Sequence, residues 1–401
     1  MAAGTAALAA ALASAPAFVA FVAAPARTRV MTLVPSLALI IDTTQAGALL
    51  TAAFAGSLLV AALLWRWFGS RMSRDRWIRP NYRGQPIVAV SGLVVLIAGS
   101  VAVAITAAVI VSLPEGEMHE AVHVLDQSVL LARSPDSAVI AGGIAALVLL
   151  GGFGWLGYRD DIRGTPDGYV ASSGFAGHLR QSLRQRVLTT GLQKALGGLV
   201  VATVAVQIAL WGDPAEARYF AGTNPGDWFD PVPHALGLGM DPDAMWSLMA
   251  LIRGVLIVAL SANLLNLLDR APARAAKASL GWWLIALAPA ALVASGSAGR
   301  FDLGFEVTEW AVWAGAAVGA SAGLLRSELA EQHMQGDTGV NPVGAILGMA
   351  TVVAYPATVE WVVLAVLAAL NLASERCSFS RIIDAVPPLR WLDRLGSPYR
   401  N

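Results

Sequence analysis

The chain has 401 residues, of which 56% are hydrophobic and only 13% charged, with 27 basic and 27 acidic side chains in balance. Its mean hydropathy of +0.62 excludes an ordinary water-soluble domain and points to a membrane protein. The single cysteine, Cys377, excludes an internal disulfide and a cysteine cluster for zinc.

Residues 1–45 form an alanine-rich segment. Arg27 and Arg29 follow its apolar part instead of leading it, which is the wrong order for a secretory signal. The segment receives no role. From residue 46 on, apolar stretches near the length of a bilayer crossing recur at about 46–67, 87–111, 137–157, 192–211, 246–268, 277–298, 307–325, 339–355 and 357–373. Long apolar runs without strand-like alternation predict an all-α, polytopic membrane protein of nine to ten transmembrane helices, because helices satisfy their own backbone in lipid. The transmembrane domain is expected over 46–380, with a cytoplasmic tail over 381–401.

The charge balance hides an asymmetry. If the loop after the first span is cytoplasmic, most of the 27 Lys and Arg residues fall on that side, in 66–83, 159–194, 270–277, Arg326 and the tail. Arg133, Arg218 and Arg300 fall on the other. This positive-inside pattern orients the chain in the plasma membrane. On the outer side, residues 113–135 read as an amphipathic surface helix. Its His119 and His123, at i and i+4, are more simply solvated than metal-binding. The proline-rich loop 212–245 reads as a folded lid whose Trp228 and Phe229 anchor at the interface.

Polar chemistry gathers on the cytoplasmic side. The third span ends in GYRDD, so Asp160 and Asp161 sit together at a helix end, where a cation or proton must offset their repulsion. Solvated salt bridging is the plain alternative. The fifth span ends in NLLNLLD, which spaces Asn263, Asn266 and Asp269 three apart on one helical stripe. That stripe fits a polar cavity or interhelical hydrogen bonding by asparagine equally well. HMQGDTGVNPVGAILG opens a further helix. Thr338 is a candidate N-cap there, free amides at the helix start suit a phosphate, and Asp337 beside them suits Mg²⁺. His178 and His333, and the basic runs Arg180–Arg186 and Arg390–Arg394, read first as structural or lipid-facing groups.

Taken in order, RPNYRGQP, GYRDD, GLQKALGG, NLLNLLD and HMQGDTGVNPVGAILG resemble the motifs of the polyprenyl-phosphate N-acetylhexosamine-1-phosphate transferase superfamily. That group includes the phospho-N-acetylmuramoyl-pentapeptide transferase. The resemblance spans about residues 46–380. It implies an Mg²⁺-dependent transfer of a sugar-1-phosphate from a UDP-amino sugar to a polyprenyl phosphate at the inner leaflet, for cell-envelope polymers. By position it implies that Asp337 holds Mg²⁺ on the diphosphate and that Asp160 or Asp161 orients or deprotonates the lipid phosphate. Asn263, Asn266 and the catalytic Asp269 would line the nucleotide–sugar pocket, and Lys194 would face a phosphate. The partners so implied are the polyprenyl lipid, the UDP-sugar and the membrane, with no nucleic acid; a homodimer is compatible.

Three departures bear on this. Pro272 stands where the family carries a second aspartate, which concerns uracil recognition. SERCSFSRII lacks the histidines of the family's last cytoplasmic loop, so Arg376 and Arg381 become candidates for its positive charge. The chain is expected to end after its ninth span, without a tenth. The alternative is a catalytically degenerate homologue that binds a lipid-linked precursor or scaffolds envelope machinery. A secondary transporter fits less well, because the carboxylates gather at one face and not at the midplane.

Overall fold

The computed structural model describes residues 26–72, 77–81, 83–112, 135–163, 190–210, 242–295 and 301–399. The segment carrying His119 and His123, the run Arg180–Arg186 with His178, residues 212–241 and residues 1–25 lie outside the described residues.

The chain is mostly helical. In order come α1 (Ala26–Phe68), a 3₁₀ turn (Gly69–Met72), the short strands β1 (Ile78–Pro80) and β2 (Pro86–Val88), α2 (Gly92–Ser112), α3 (Pro135–Arg163) and α4 (Thr190–Leu210). Next are α5 (Pro242–Leu268), then α6 (Arg274–Trp282), a π-helical turn (Trp283–Leu287) and α7 (Ala288–Ser295) in one continuous rod. The chain closes with α8 (Phe301–Gly323), α9 (Leu325–Leu329), α10 (Gly336–Ala354), α11 (Ala357–Ser374), α12 (Phe379–Ala385) and α13 (Pro387–Arg394).

Among the described residues, seven helical stretches are long and apolar enough to cross a membrane: Ala46–Met72, Gly92–Ser112, Val139–Ile162, Gly191–Ala209, Leu248–Leu268, Arg274–Val293 and Ala357–Ser374. Their outer surfaces carry large exposed apolar side chains such as Ile105, Ile144, Val200 and Val362, as lipid-facing helices do. The helix α10 is different. Every residue from Thr338 to Val353 is buried, because α10 runs through the middle of the bundle against α2, α3, α5 and α8. Small side chains make that possible: α10 meets Ser261 and Ala262 of α5 through Gly344 and Gly348, letting backbones approach closely.

The strand pair is a small addition to a mostly helical chain, and β2 occupies the start expected for the second span at residue 87. Ile78–Pro80 pairs antiparallel with Pro86–Val88, Ile78 opposite Val88, and Gly84 between them has a left-handed φ of 76°. Asn81 Oδ1 accepts the Arg83 and Gln85 amides at 2.9 Å each and closes the turn. Val88 then bridges to His333, which brings the loop before α10 down onto the hairpin.

One end of the bundle collects the ends of many helices. There the last turns of α1, α3, α5 and α8 meet the first turns of α2, α4, α6 and α10. His333 shows this locally: its ring lies 4.0 Å from that of Trp65, Nδ1 is 2.7 Å from Ser91 Oγ, and Nε2 is 2.8 Å from Ser327 Oγ.

Candidate active site

The start of α10 organises the site. Gly336 has φ of 66°, and a β-carbon there would come within 2.2 Å of the Ala89 carbonyl oxygen and 2.8 Å of Asp161 Oδ2. Glycine is therefore required twice, by the backbone and by the space. Beside it, α3 lies so close that a β-carbon on Gly157 would sit 2.2 Å from the Asp337 carbonyl oxygen. These two contacts bring the GYRDD end of α3 onto the GDTG end of α10.

Asp161 uses that proximity. Its carboxylate accepts the Asp337 amide at 3.1 Å, the Thr338 amide at 2.9 Å and the Thr338 hydroxyl at 2.5 Å. The helix start expected to offer free amides to a phosphate is thus capped from another helix, and Thr338 is a partner of the cap and not the cap itself. A carboxylate at the positive end of a helix is the favourable arrangement. Arg79 of β1 completes the joint by donating to the Asp161 carbonyl at 2.9 Å.

Asp160 points elsewhere. Its carboxylate lies 3.6 Å from Lys194 Nζ, and Lys194 is also ion-paired directly with Asp337 Oδ2. Asn266 closes the group. With its amide turned to satisfy both neighbours, its nitrogen donates to Asp337 Oδ1 at 3.0 Å and its oxygen accepts from Lys194 at 2.7 Å. Four residues from α3, α4, α5 and α10 therefore converge on one point. The cluster is open: the side chains of Asp160, Lys194 and Asp337 are 39%, 21% and 17% exposed.

Asp269 lies just behind, with Oδ1 buried and without a hydrogen-bond partner among the described residues. Burial pushes its carboxyl well above the ordinary carboxylate range, and the nearby charges of Glu328, Asp337 and Asp161 push the same way. Glu328 is a buried acid that no sequence pattern marked. Burial raises it to about 7, against hydrogen bonds that favour its charged form, among them one from Gln335 at 2.9 Å. Gln335 in turn accepts from Ser321 at 3.0 Å, tying α8 to the site. Glu331, likewise unmarked, accepts from Asn81 at 3.0 Å and pairs with Arg83 at 3.2 Å.

Not every sequence candidate joins the cluster. Asn263 donates to Asn371 of α11 at 2.6 Å, and Asn371 donates on to the Leu260 carbonyl. It therefore serves as interhelical glue. Each i to i+3 step falls about 60° short of a full turn, so Asn263 and Asp269 point about 120° apart and cannot share a cleft. Arg376 and Arg381 are exposed on the tail, and among the described residues neither bonds to the cluster.

The donor set suits a hard divalent cation. Asp337 and Asp160 flank a common cation position, which the Lys194 ammonium holds. Magnesium commonly takes one or two carboxylates and completes its shell with substrate phosphates and water. Among the described residues no three His, Cys, Asp or Glu side chains form a ligand group by themselves. The two carboxylates fit Mg²⁺ when the substrate supplies the remaining oxygens. No known protein family and no curated protein matches the chain.

Proposed function

We propose that the chain is a divergent Mg²⁺-dependent phosphoglycosyl transferase of nine to ten membrane helices. Its motif end faces the cytoplasm at the plasma membrane, and it acts in cell-envelope polymer synthesis. The observation that carries this reading is the meeting of Asp160, Lys194, Asn266 and Asp337, from four separate helices, at one open point at an end of the bundle.

In the proposed reaction a phosphate oxygen of a polyprenyl phosphate attacks the β-phosphorus of a UDP-amino sugar. The bond from that phosphorus to the bridging oxygen breaks, and UMP leaves with the electron pair. Bound Mg²⁺, held by Asp337 and Asp160, would neutralise the diphosphate. Lys194 would turn from the carboxylates to a phosphate oxygen. Asn266 would hold Asp337 in place, and Asp160, the more open of the adjacent pair, would face the lipid phosphate and orient it in line. Asp161 would act only by fixing the start of α10. Pro272, in place of an acidic residue, leaves the nucleotide base to be read by other groups.

Release of UMP from UDP-sugars, with a polyprenyl phosphate and Mg²⁺, tests the reading. Asp337→Asn and Asp160→Asn should each lower the rate by about 10²-fold or more while the protein stays folded. Wild-type rates in both variants would sink it. The closed pairing of Lys194 with both carboxylates favours one other reading, a self-neutralised site that binds the precursor without turnover. A wild-type protein that binds the UDP-sugar but releases no UMP would decide for that.

A further inference from the structure

We infer that the C-terminal hairpin α12–α13 is an interfacial anchor whose outward face lies in an anionic lipid surface. The helix α13 is amphipathic and is docked through one polar residue, Asp393, while Arg390 is exposed and the Arg394 side chain is 42% exposed. Asp393 is 5% exposed and is held by Arg274 through a two-pronged pair, Nε to Oδ1 at 2.8 Å and Nη2 to Oδ2 at 3.0 Å. Lys277 donates to the carbonyls of Leu392, Asp393 and Leu395 at 3.1, 2.9 and 2.7 Å, which neutralises the negative end of the helix. Both clamp residues belong to α6, whose first turn lies at the motif end of the bundle.

The apolar side turns outward. Trp391 is 66% exposed, and Leu392 and Leu395 are each 49% exposed. At about 100° per residue these three share one side of the helix, opposite Arg390, Asp393 and Arg394. Ile382 and Val386 of the preceding helix and turn are exposed as well. A helix against water buries its apolar stripe and solvates the charged one. Here the buried Arg274–Asp393 pair grips the helix from its polar side and leaves the apolar stripe outward, the arrangement of a helix whose apolar face is covered by something apolar.

Two observations say that the cover is lipid. The hairpin begins five residues after Ser374, where the membrane-spanning α11 ends, and the lipid-facing side chains of α11 (Val362, Val366 and Leu372) are exposed up to that point. The outward face therefore continues a surface already in the bilayer. The hairpin also carries exposed Arg381 and Arg390, with Arg376 just before it, which suit anionic headgroups. Tryptophan is a residue favoured at that depth.

Cys377 is the only cysteine, so the full chain with Cys377→Ser gives a clean background for nitroxide labelling. Leu392→Cys, Trp391→Cys, Leu395→Cys and, as the polar-side control, Arg390→Cys would be labelled and reconstituted in vesicles of equal parts phosphatidylglycerol and phosphatidylcholine. Labels at 391, 392 and 395 should collide with oxygen several-fold more than with a water-soluble nickel chelate, and the label at 390 should show the reverse. In pure phosphatidylcholine the contrast should weaken, and Arg381→Gln with Arg390→Gln should weaken it in the anionic vesicles. Nickel reaching 391, 392 and 395 as freely as 390 would overturn the inference. So would shielding from both agents, which would mean a second copy covers the face. Three independent apolar sites guard against one label disturbing the fold. None of these residues belongs to the cluster around Asp337, so the result stands apart from the transferase assay.

Discussion

Consecutive helical residues point about 100° apart, and at the end of α3 that angle divides the work of two neighbouring acids. Asp161 faces α10 and accepts two backbone amides and the Thr338 hydroxyl, while Asp160 faces the open cluster and Lys194. Asp161→Asn would turn an amide nitrogen or an oxygen of half the charge toward donors that want a carboxylate. It should cost about 1–2 kcal/mol of stability, as the loss of a helix cap does. Asp160→Asn removes one of two carboxylates that share one lysine, and should leave stability within about 0.5 kcal/mol of wild type, as exposed pairs do. Thermal unfolding of the two variants in the same detergent checks this. Equal losses would mean that both acids serve the same end. From sequence the pair could only be taken together, because the angle matters only once the position of α10 is known.

At the scale of elements, one ion pair fastens α11 to the bundle. Arg253 Nε donates to Glu360 Oε2 at 2.8 Å, both side chains are buried, and the guanidinium lies 5.5 Å from the centre of the Trp361 ring. Arg253→Met should strand the Glu360 carboxylate in an apolar setting and cost about 3–5 kcal/mol, whereas Arg253→Met with Glu360→Leu should recover most of that. Unfolding of the single and double variants tells them apart, and a single variant as stable as wild type would show that the pair fastens nothing. Hydropathy made the helices themselves legible, because a crossing requires a fixed length of apolar chain whatever its neighbours. Its errors have local causes. The second span was read from residue 87, but 86–88 pair as β2 and α2 starts only at Gly92. Strands of three residues with proline at their ends leave no alternation to read. Which helix runs down the middle was not legible either: α10 opens with Gly336, Asp337, Asn341 and Pro342, and only its neighbours reveal that the helix is buried from Thr338 on.

For the molecule as a whole, the motif order was enough to gather Asp160, Asp161, Asp269 and Asp337 at one end, because helices that alternate in direction bring their like ends together. Among the buried groups that support that end, Glu328 carried no sequence signal, and His333, read first as structural, takes its partners Ser91 and Trp65 from other elements. They also set the response to pH. Glu328 is raised by burial from 4.5 to about 7, so the folded state holds a proton there that the unfolded state has already released. Its contribution is full below about 4.5 and is lost as pH rises toward 7. His333 is lowered by burial from 6.5 to about 3, so its contribution is full above 6.5 and is lost as pH falls toward 3. The two windows overlap between 4.5 and 6.5, where they oppose each other. Above 6.5 His333 is silent and the buried carboxyls act alone. The protein in detergent should therefore lose stability between pH 6.5 and 8, by on the order of 1–3 kcal/mol. Glu328→Gln, which removes the proton-binding group and keeps its shape, should make the fall of the unfolding midpoint over that interval shallower and leave the share of Asp161 and Asp269. A wild-type midpoint that rises with pH there, or a variant that keeps the full slope, would mean that the ionised Glu328 is at ease inside the fold.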